Sequence, residues 1–278
     1  MAVLSIQSHV ALGHVGNGAA AFALQRLGIE AWAVPTAHLS NHPGHGHHRG
    51  RIADAADVRA LLDGLAALGV YARCQAVLSG YLGSVEVGLA ALDAVRAVKA
   101  ANPSALYLCD PVLGDDAEGR YVAEGLAEFF RERAMPMADI VCPNAFELGL
   151  LTGQPGDATA WAAEAARMLL ARGPRMVVVT SLVGADGVGT LAVTADDAWL
   201  VTTPRLDRVA KGAGDLLAAV LLGWLLRGLE MEAALARSVA AVFGVLAVTD
   251  RLARDLNLVE GQESIVNSMI RFKPTRVR

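Results

Sequence analysis

The chain alternates short apolar runs with amphipathic helical patterns, and this alternation limits the folds that it can adopt. Six runs have the length and composition of buried strands, at residues 3–6, 31–34, 76–79, 106–109, 140–142 and 176–180. Helical patterns lie between several of them, at residues 19–27, 54–68, 85–101 and 158–171. This order predicts a doubly wound α/β protein with a mostly parallel central sheet and helices on both faces.

The pattern changes after residue 180. Residues 187–193 and 198–202 have the composition of two strands joined by a turn at residues 195–197, which predicts an antiparallel hairpin added to the parallel sheet. Helical sequence then continues to the end of the chain. No internal repeat and no linker rich in proline or serine divides the 278 residues, so we predict a single domain over residues 1–278.

Composition argues against several classes of function. The formal net charge of -4 offers no basic patch for a nucleic acid or another polyanion. The first ten residues, MAVLSIQSHV, lack the charged start of a signal peptide, and glycine, arginine and glutamate interrupt the apolar runs before they reach membrane-spanning length. We therefore expect a cytoplasmic protein. Three widely spaced cysteines lie in or beside apolar runs, which predicts buried, reduced thiols at Cys74, Cys109 and Cys142.

The stretch VAKGAGDLLAAVLLG, residues 209–223, places one aspartate at the start of an apolar helix. Gly212 and Gly214 let the backbone approach a ligand closely, and the start of a helix presents free N–H groups and the positive end of its dipole. These features predict an anion-binding site. Asp215 itself has two interpretations here: it complements the helix start, as acidic residues commonly do, or it takes part in catalysis.

Polar side chains also follow the predicted strands. The segment DPVLGD, residues 110–115, follows the fourth run, and Asn144 follows the fifth, with Glu147 about one helical turn further on. Residues 180–181, Thr-Ser, end the sixth run. Ligands of open α/β sheets bind beyond the carboxyl ends of the strands, so we expect these groups at one edge of the sheet. Oxygen ligands for a hard cation, beside N–H groups for phosphates, favour a magnesium–nucleotide complex.

Three of these motifs together resemble the ribokinase-like superfamily of small-molecule kinases: GAGD at 212–215, DPVLGD at 110–115 and PNAFEL at 143–148. Further segments narrow the resemblance to the pyridoxal kinases: LSIQSHVALGHVGN at 4–17, SNH at 40–42 and LSGYLG at 78–83. The resemblance covers most of the chain in the expected order. It implies a three-layer α/β/α fold and ATP-dependent phosphorylation of the 5'-hydroxymethyl group of pyridoxal, in a homodimer that uses Mg²⁺ and often K⁺.

The resemblance also implies roles for individual residues. Asp215 would accept the proton of the substrate hydroxyl, while the backbone N–H groups of Gly212, Ala213 and Gly214 would hold the charge that develops on the phosphoryl group. Substrate binding is expected from Ser8, Val15, Pro43, Gly44, Tyr81, Tyr121 and Asp215. ATP binding is expected from Asp110, Cys142, Asn144, Glu147, Thr180, Ser181, Arg208 and Lys211. Two of these residues would also serve the metal ion, Asp110 and Glu147.

Several of these residues have simpler interpretations that the sequence leaves open. Ser8 could only terminate a strand, Tyr81 could pack in the core, and Asn144 could only cap the helix that follows it. Arg208 and Lys211 flank the GAGD loop, where one of them contacts ATP phosphates or both are solvated charges.

The segment SNHPGHGHHRGR, residues 40–51, carries four histidines, His42, His45, His47 and His48. Imidazoles are common ligands of transition metals, but no carboxylate or cysteine accompanies them and the glycines disfavour a preorganised site. The resemblance implies a mobile flap over the substrate, with metal binding as the alternative. Pro43 stands where pyridoxal kinases commonly have threonine, so a hydroxyl and a backbone donor are absent there. We expect Gly44 to supply a backbone contact instead.

Two other functions remain open. A kinase of hydroxymethylpyrimidine or a related vitamin has the same superfamily motifs, but the SIQSH segment at residues 5–9 argues against it. A non-catalytic carrier of pyridoxal 5'-phosphate is the second alternative. The intact GAGD motif argues against a carrier, because a pure binding protein needs no base beside an anion site.

Overall fold

The computed structural model describes residues 1–208, 210–268 and 271–277. Its strands are β1 Ala2–Val10, β2 Glu30–Leu39, β3 Gly50–Ile52, β4 Ala76–Ser79, β5 Leu106–Cys109, β6 Gly114–Asp115, β7 Gly119–Arg120, β8 Ile140–Val141, β9 Met176–Gly184, β10 Gly187–Val193, β11 Ala198–Thr203 and β12 Thr275–Arg276. Within these residues, ten strands form one sheet in the order β12-β11-β10-β9-β8-β5-β4-β1-β2-β3, and β6 pairs with β7 separately.

The centre of the main sheet is parallel. Strands β2, β1, β4, β5, β8 and β9 pair in parallel in that order. Strand β3 adds antiparallel at one edge, and β10, β11 and β12 add antiparallel at the other. The chain runs from β1 to β2 on one side and then to β4 on the other. This change of direction leaves a crevice for a ligand between the carboxyl ends of β1 and β4.

Helices cover both faces of the sheet, in agreement with the predicted three layers. One face carries α2 Ala55–Ala67, α3 Val85–Ala101, α4 Leu126–Phe129, α5 Ala145–Thr152 and α6 Thr159–Leu170. The other carries α1 Asn17–Arg26, α7 Ala213–Leu226, α8 Met231–Val248 and α9 Glu263–Asn267. Helix α7 is apolar on all sides because it packs between α1, α8 and the sheet, and residues 216–224 are all buried.

Successive residues of the central strands serve two different cores. Val77 packs in the core under α2 to α6, whereas its neighbour Leu78 packs in the core under α1, α7 and α8. Val177 and Val178 divide in the same way in β9. Because successive side chains of a strand point to opposite faces, a strand buried on both faces must be apolar throughout. This is why uninterrupted apolar runs identify these strands in the sequence.

The predicted strands agree with the structure in the interior of the sheet and differ at its ends. The predictions for residues 76–79 and 106–109 coincide with β4 and β5, and the predicted hairpin coincides with β10 and β11. Strands β1 and β2 are longer than predicted because polar residues still pair, as His9 does with His38. Strand β9 extends to Gly184 because it pairs with β10 over most of its length. The short, exposed edge strands β3 and β12 were not predicted.

Helix α8 corrects one prediction. It is the one helix in the described part of the chain that is long and apolar enough to cross a membrane, although no apolar run was expected to reach that length. Only Glu232 and Arg237 interrupt it with charge. One face of α8 packs against α7 and the strands of the hairpin, as the core helix of a folded domain does.

The three cysteines are free and buried, as predicted. Burial raises the pKa of Cys109 to about 12, and it also raises the pKa values of Cys74 and Cys142. The thiols therefore stay protonated and unreactive at neutral pH.

Candidate active site

A cavity of about 860 Å³ lies at the carboxyl ends of the parallel strands. It extends from the end of β1, past the start of α7, to the hairpin and α8. This volume is typical of small-molecule sites. Every residue predicted above to take part in catalysis or to bind substrate, nucleotide or metal lines this one cavity. The structure therefore brings together a set of residues that the sequence spreads over more than 200 positions.

The GAGD loop forms the floor of the cavity. Gly212 precedes α7 with a φ of 102°, in the left-handed region that favours glycine. A Cβ at this position would lie 2.0 Å from the carbonyl oxygen of His14, so the loop packs directly on the segment between β1 and α1. The helix begins at Ala213, two residues before Asp215, where the sequence pattern placed its start. Its first N–H groups, which lack partners within the helix, lie at the cavity wall and suit an anion.

Asp215 lies in the first turn of α7 and lines the cavity. Burial raises the pKa of this carboxyl to about 6, and a hydrogen bond from the backbone of Gly16 limits the rise. At neutral pH the carboxylate is mostly ionised, yet it binds a proton far more readily than an exposed aspartate. These are the properties of a general base. They are compatible with the other interpretation, because an ionised Asp215 also complements the dipole of α7.

Two further buried carboxylates, Asp110 and Glu147, lie in the same cavity. Oε1 of Glu147 accepts the backbone N–H of Leu113 at 2.9 Å, and Oε2 accepts that of Asn144 at 2.9 Å. Burial outweighs these bonds and raises the pKa of Glu147 to about 7. Burial and the nearby charge of Glu147 raise the pKa of Asp110 as well. Among the described residues no hydrogen bond reaches the Asp110 carboxylate, which leaves its oxygens available to a cation.

Asn144 is a helix cap, as the simpler interpretation held. Its Oδ1 accepts the N–H of Glu147 at 2.8 Å, which completes a capping box at the start of α5. Its Nδ2 donates to the carbonyl oxygen of Gly114 at 2.8 Å. Both polar atoms of the side chain therefore already have partners.

Ser8 lies inside β1 and does not terminate it, because the strand continues to Val10. The pairing of β1 with β2 shifts register between Gln7 and His9, and such a bulge re-aims the side chain at its centre. A Cβ at Gly16 would lie 2.5 Å from Oγ of Ser8, so only glycine allows this close approach. In the described residues the Ser8 hydroxyl has no hydrogen-bond partner, which leaves it free for a ligand.

The predicted aromatic contacts lie on two sides of the cavity. Tyr81 follows β4, is partly buried and lines the cavity, which Val15 also lines, and burial raises the pKa of its hydroxyl. Tyr121 follows β7 and is 45% exposed. This exposure suits the predicted closure of Tyr121 over a bound substrate.

Lys211 is an ion-paired residue rather than a solvated charge. Its Nζ lies 2.8 Å from Oδ2 of Asp115 and 2.9 Å from Oε1 of Glu118. Burial acts to lower its pKa, but these carboxylates outweigh burial and raise it. Lys211 thereby links the start of the GAGD loop to the end of β6 and to the loop that joins β6 to β7. Arg208 also lines the cavity, and its Nε donates to the carbonyl oxygen of Leu246 at 3.3 Å.

The cavity continues along the hairpin beyond Thr180 and Ser181. Ser181 has a φ of 61°, which non-glycine residues rarely adopt, and such backbone strain is often found at functional sites. Sequence reasoning missed the apolar wall on this side, formed by Val188, Pro204, Leu206, Val239, Val242, Phe243 and Leu246. The last four of these residues have helical spacing and lie on one face of α8. The sequence could not show that this face lines a cavity, because a helix face packed in the core has the same apolar composition.

The segment 40–51 forms the rim of the cavity, and we call it the flap. Pro43 and Gly44 lie in its short helical turn and line the cavity. The carbonyl oxygen of Gly44 accepts a hydrogen bond from the guanidinium of Arg254. The turn is therefore anchored to the loop that follows α8.

The prediction that no carboxylate accompanies the flap histidines is wrong. Nε2 of His45 lies 2.8 Å from Oδ2 of Asp255, and Nε2 of His42 lies 3.4 Å from Oδ1 of the same residue. Burial lowers the pKa of His42, although the backbone of Arg254 and the charge of Asp255 oppose this shift. Asp255 comes from 210 positions beyond His45, so spacing within the segment carries no sign of it.

Solved structures with the same fold include known kinases. The pyridoxal kinase from Leishmania donovani in complex with ADP and pyridoxamine aligns with a TM-score of 0.93 at 27% identity, over 100% of this chain and 99% of that chain. The pyridoxal kinase from Entamoeba histolytica aligns with a TM-score of 0.93 at 26% identity, over 99% of both chains. The layered α/β fold, with a carboxylate behind an anion-binding loop at the sheet edge, defines a ribokinase-like kinase of small molecules.

Sequence comparison narrows this class. The family model described as phosphomethylpyrimidine kinase matches residues 23–262. Pyridoxal kinase PdxY from Rubrobacter xylanophilus is 50% identical over 99% of this chain and 97% of its own length. The protein of the same name from Deinococcus radiodurans is 45% identical over 99% of this chain and 96% of its own length. The chain belongs to the family that this model describes and, within it, to the pyridoxal kinases.

Proposed function

We propose that this chain transfers the γ-phosphoryl group of ATP to the 5'-hydroxymethyl group of pyridoxal, which gives pyridoxal 5'-phosphate and ADP. The observation that carries the proposal is the position of Asp215. This carboxylate, with a pKa of about 6, lies in the first turn of α7, beside the free N–H groups of the helix start. The same cavity has Ser8 at one end and the apolar face of α8 at the other. Phosphoryl transfer to an alcohol requires such a combination of base, anion site and two binding regions.

In the proposed reaction, the 5'-oxygen of the substrate forms a bond to the γ-phosphorus. The bond from the γ-phosphorus to the oxygen that bridges it to the β-phosphorus breaks, and ADP leaves with that oxygen. Asp215 accepts the proton of the attacking hydroxyl. The N–H groups of residues 212–214 stabilise the charge that develops on the transferred group.

In this proposal, the two substrates bind at opposite ends of the cavity. We propose that Ser8 hydrogen-bonds the pyridine ring, beside Val15 and Tyr81, while the flap and Tyr121 close over it. The apolar wall of the hairpin and α8 would take the adenine base. The Leishmania donovani structures hold ADP with pyridoxamine or with pyridoxine, so we propose that this chain also accepts these two vitamers.

Mg²⁺ is the cation that we propose to accompany ATP, and the residues present fit it. Asp110 offers carboxylate oxygens that no hydrogen bond occupies among the described residues, while Glu147 lies nearby with both oxygens bound to backbone N–H groups. Asp110 would therefore hold the cation directly and Glu147 through water, as suits an ion that keeps part of its hydration. When bound, Mg²⁺ would neutralise charge on the β- and γ-phosphates. We propose K⁺ as a second cation from the family resemblance alone.

The test is an ATP-dependent assay on pyridoxal, pyridoxine, pyridoxamine and hydroxymethylpyrimidine, with Mg²⁺ and with or without K⁺. Asp215→Asn should lower kcat by about 1000-fold or more while ATP binding stays measurable, because only the base is lost. Asp157→Asn is the matched control, since Asp157 is exposed in the loop before α6 and should leave kcat unchanged. Near-normal turnover by Asp215→Asn would show that Asp215 is not the base and only complements the start of α7.

The same assay separates the alternatives. The description of the matching family model favours hydroxymethylpyrimidine kinase as the second candidate. Turnover of hydroxymethylpyrimidine in preference to the three vitamers would establish that candidate instead. Tight binding of pyridoxal without turnover of any substrate would indicate a carrier.

We further propose that residues 1–278 form one domain and that the chain acts in the cytoplasm as a homodimer without a nucleic-acid partner. The dimer rests on the family resemblance. Sedimentation equilibrium of the purified chain should give twice the mass of one chain, and the mass of a single chain would contradict the dimer.

A further inference from the structure

Three metal-ligating side chains meet where the flap contacts the loop after α8. His42 and His45 bracket the helical turn of the flap, and Asp255 follows α8 in the chain. One ligand atom from each residue lies within 4.8 Å of the others. The side chains of His45 and Asp255 are 22% and 23% exposed, and that of His42 is 7% exposed. The group is therefore largely enclosed but open to solvent on one side.

We propose that His42, His45 and Asp255 bind one transition-metal dication of the Zn²⁺ type, with water in the remaining position. Two imidazoles and a carboxylate are a donor set that suits Zn²⁺ and its neighbours, whereas Mg²⁺ and Ca²⁺ prefer oxygen ligands. This cation is distinct from the one that accompanies ATP. The site does not depend on the proposed kinase activity.

Each histidine approaches a different oxygen of Asp255, and one of the two separations matches that of two ligands on a tetrahedral ion. Two atoms bound at about 2.0–2.1 Å to a tetrahedral centre lie about 3.4 Å apart. Nε2 of His42 and Oδ1 of Asp255 are 3.4 Å apart, and Nε2 of His45 and Oδ2 of Asp255 are 2.8 Å apart. The shorter distance is that of a hydrogen bond. A metal ion would replace the proton of that hydrogen bond with a small outward movement of His45. Nε2 of His42 would likewise release its proton and its contact with the carbonyl oxygen of Arg254, and the imidazole would bind the ion in its neutral form.

An orphaned oxygen indicates where the ion would lie. Oδ1 of Asp255 is buried and has no hydrogen-bond partner among the described residues. The nearby Nε2 of His42 is 3.1 Å from the carbonyl oxygen of Arg254, which it contacts instead. A Cβ at Gly13 would lie 1.8 Å from the same oxygen, so the loop after β1 closes this side of the site. A buried carboxylate oxygen without a partner is unfavourable, and a cation would supply the partner.

A bound ion would join the flap to the rest of the molecule. Its ligands come from the flap and from the loop after α8, and the site rests on the loop after β1. His42 lines the cavity, whereas His45 and Asp255 do not, so the ion would lie behind the flap. Occupation of the site would therefore slow movement of the flap without filling the cavity.

The test uses the full, untagged chain titrated with Co²⁺ as a spectroscopic probe. We expect one Co²⁺ per chain with the visible absorption of four-coordinate cobalt, which Zn²⁺ bleaches and excess Mg²⁺ does not change. His45→Gln keeps a hydrogen-bond donor near Asp255 but removes the imidazole, and it should weaken Co²⁺ binding by about 100-fold or more. His47→Ala is the matched control, since His47 is an exposed imidazole of the same flap.

Hydrogen exchange gives a second measurement. Zn²⁺ should slow exchange of the amides of residues 40–51 in the unmodified chain and leave them unchanged in His45→Gln. Asp255→Asn should lose Co²⁺ binding to a similar extent, and unaltered thermal unfolding of His45→Gln would show that its loss is not misfolding. The proposal is overturned if Co²⁺ does not bind stoichiometrically, if His45→Gln binds it normally, or if His47→Ala loses it equally.

Discussion

If Asp215 is the general base, as we propose, the activity of this chain depends on pH in a defined direction. Its pKa of about 6 arises from burial, opposed by the backbone of Gly16. A general base must be deprotonated to accept a proton, so activity should be present above pH 6 and lost as the pH falls through 6. An exposed aspartate, with a pKa of about 4, would keep the activity constant down to about pH 5.

The size of the effect follows from this value. About nine-tenths of a group with a pKa of 6 is ionised at pH 7, and about one-tenth is ionised at pH 5. The value of kcat/KM should therefore fall about tenfold between pH 7 and pH 5. The relevant protonation state is that of the free enzyme, so pyridoxal and ATP are both kept well below their KM values.

The assay measures the initial rate of pyridoxal 5'-phosphate formation between pH 5 and pH 8. A second carboxyl also titrates in this range, because burial raises the pKa of Glu147 to about 7. Glu147→Gln separates the two groups. The shift of Asp215 comes from burial and not from Glu147, so this variant should keep a loss of activity centred near pH 6.

Asp215→Asn provides the refutation. Its small residual activity should be independent of pH over this range, because the titrating base is gone. If the variant shows the same loss of activity in acid as the unmodified chain, the titrating group is another residue. A kcat/KM that stays constant from pH 7 to pH 5 in the unmodified chain would equally contradict the assignment of Asp215 as base.

Three further substitutions test the packing around the cavity. Gly212→Ala places a Cβ 2.0 Å from the carbonyl oxygen of His14, so we expect kcat to fall about 100-fold or more with circular dichroism unchanged. A normal kcat would show that the GAGD loop shifts to accommodate the added methyl group without loss of catalysis. Gly16→Ala places a Cβ 2.5 Å from Oγ of Ser8, so the KM for pyridoxal should rise more than that for ATP; equal increases would argue against Ser8 as a substrate contact. Asn144→Ala removes the cap of α5 and should lower the free energy of unfolding by about 1–2 kcal/mol in urea. Asn144→Ser is the control, because serine, like alanine, lacks the Nδ2 donor to Gly114 but keeps a capping oxygen. No difference between these two variants would assign the loss to something other than the cap.

The interior of the fold could be predicted because burial on both faces leaves a clear pattern in the sequence. Strands β4 and β5 are apolar throughout and were placed correctly. The end of β1 could not be predicted, because Gln7, Ser8 and His9 are polar. Gln7 and His9 nevertheless pair with β2, on either side of a register shift at Ser8. The edge strands are exposed, so neither face imposes an alternating pattern on them.

The site could be predicted where its residues follow strands, because topology alone brings the ends of parallel strands together. Asp110 and Glu147 reach the cavity in this way, whereas Asp215 reaches it from the start of α7, which the glycines and the apolar helix pattern indicated. Asp255 could not be predicted, since its contact with the flap joins residues 210 positions apart through loops of no regular pattern. The face of α8 that lines the cavity could not be predicted, because an apolar ligand site and a packed core require the same types of residue.

The cavity also carries an imbalance of charge. In the described part of the chain its walls hold five carboxyl groups and three permanent cations, namely Asp110, Asp115, Glu118, Glu147, Asp215, Arg51, Arg208 and Lys211. Lys211 is already paired with two of the carboxylates. Burial raises the pKa values of Asp110 and Glu147, so protons neutralise part of this negative charge at pH 7. A cation that accompanies the triphosphate would replace these protons, whereas a bare triphosphate would bring its own charge beside the carboxyl groups without compensation. We therefore expect uncomplexed ATP to bind more weakly than ATP that carries a divalent cation. The charge of the cavity would thus favour ATP that carries a cation over free ATP, independently of any contact with the base or the ribose.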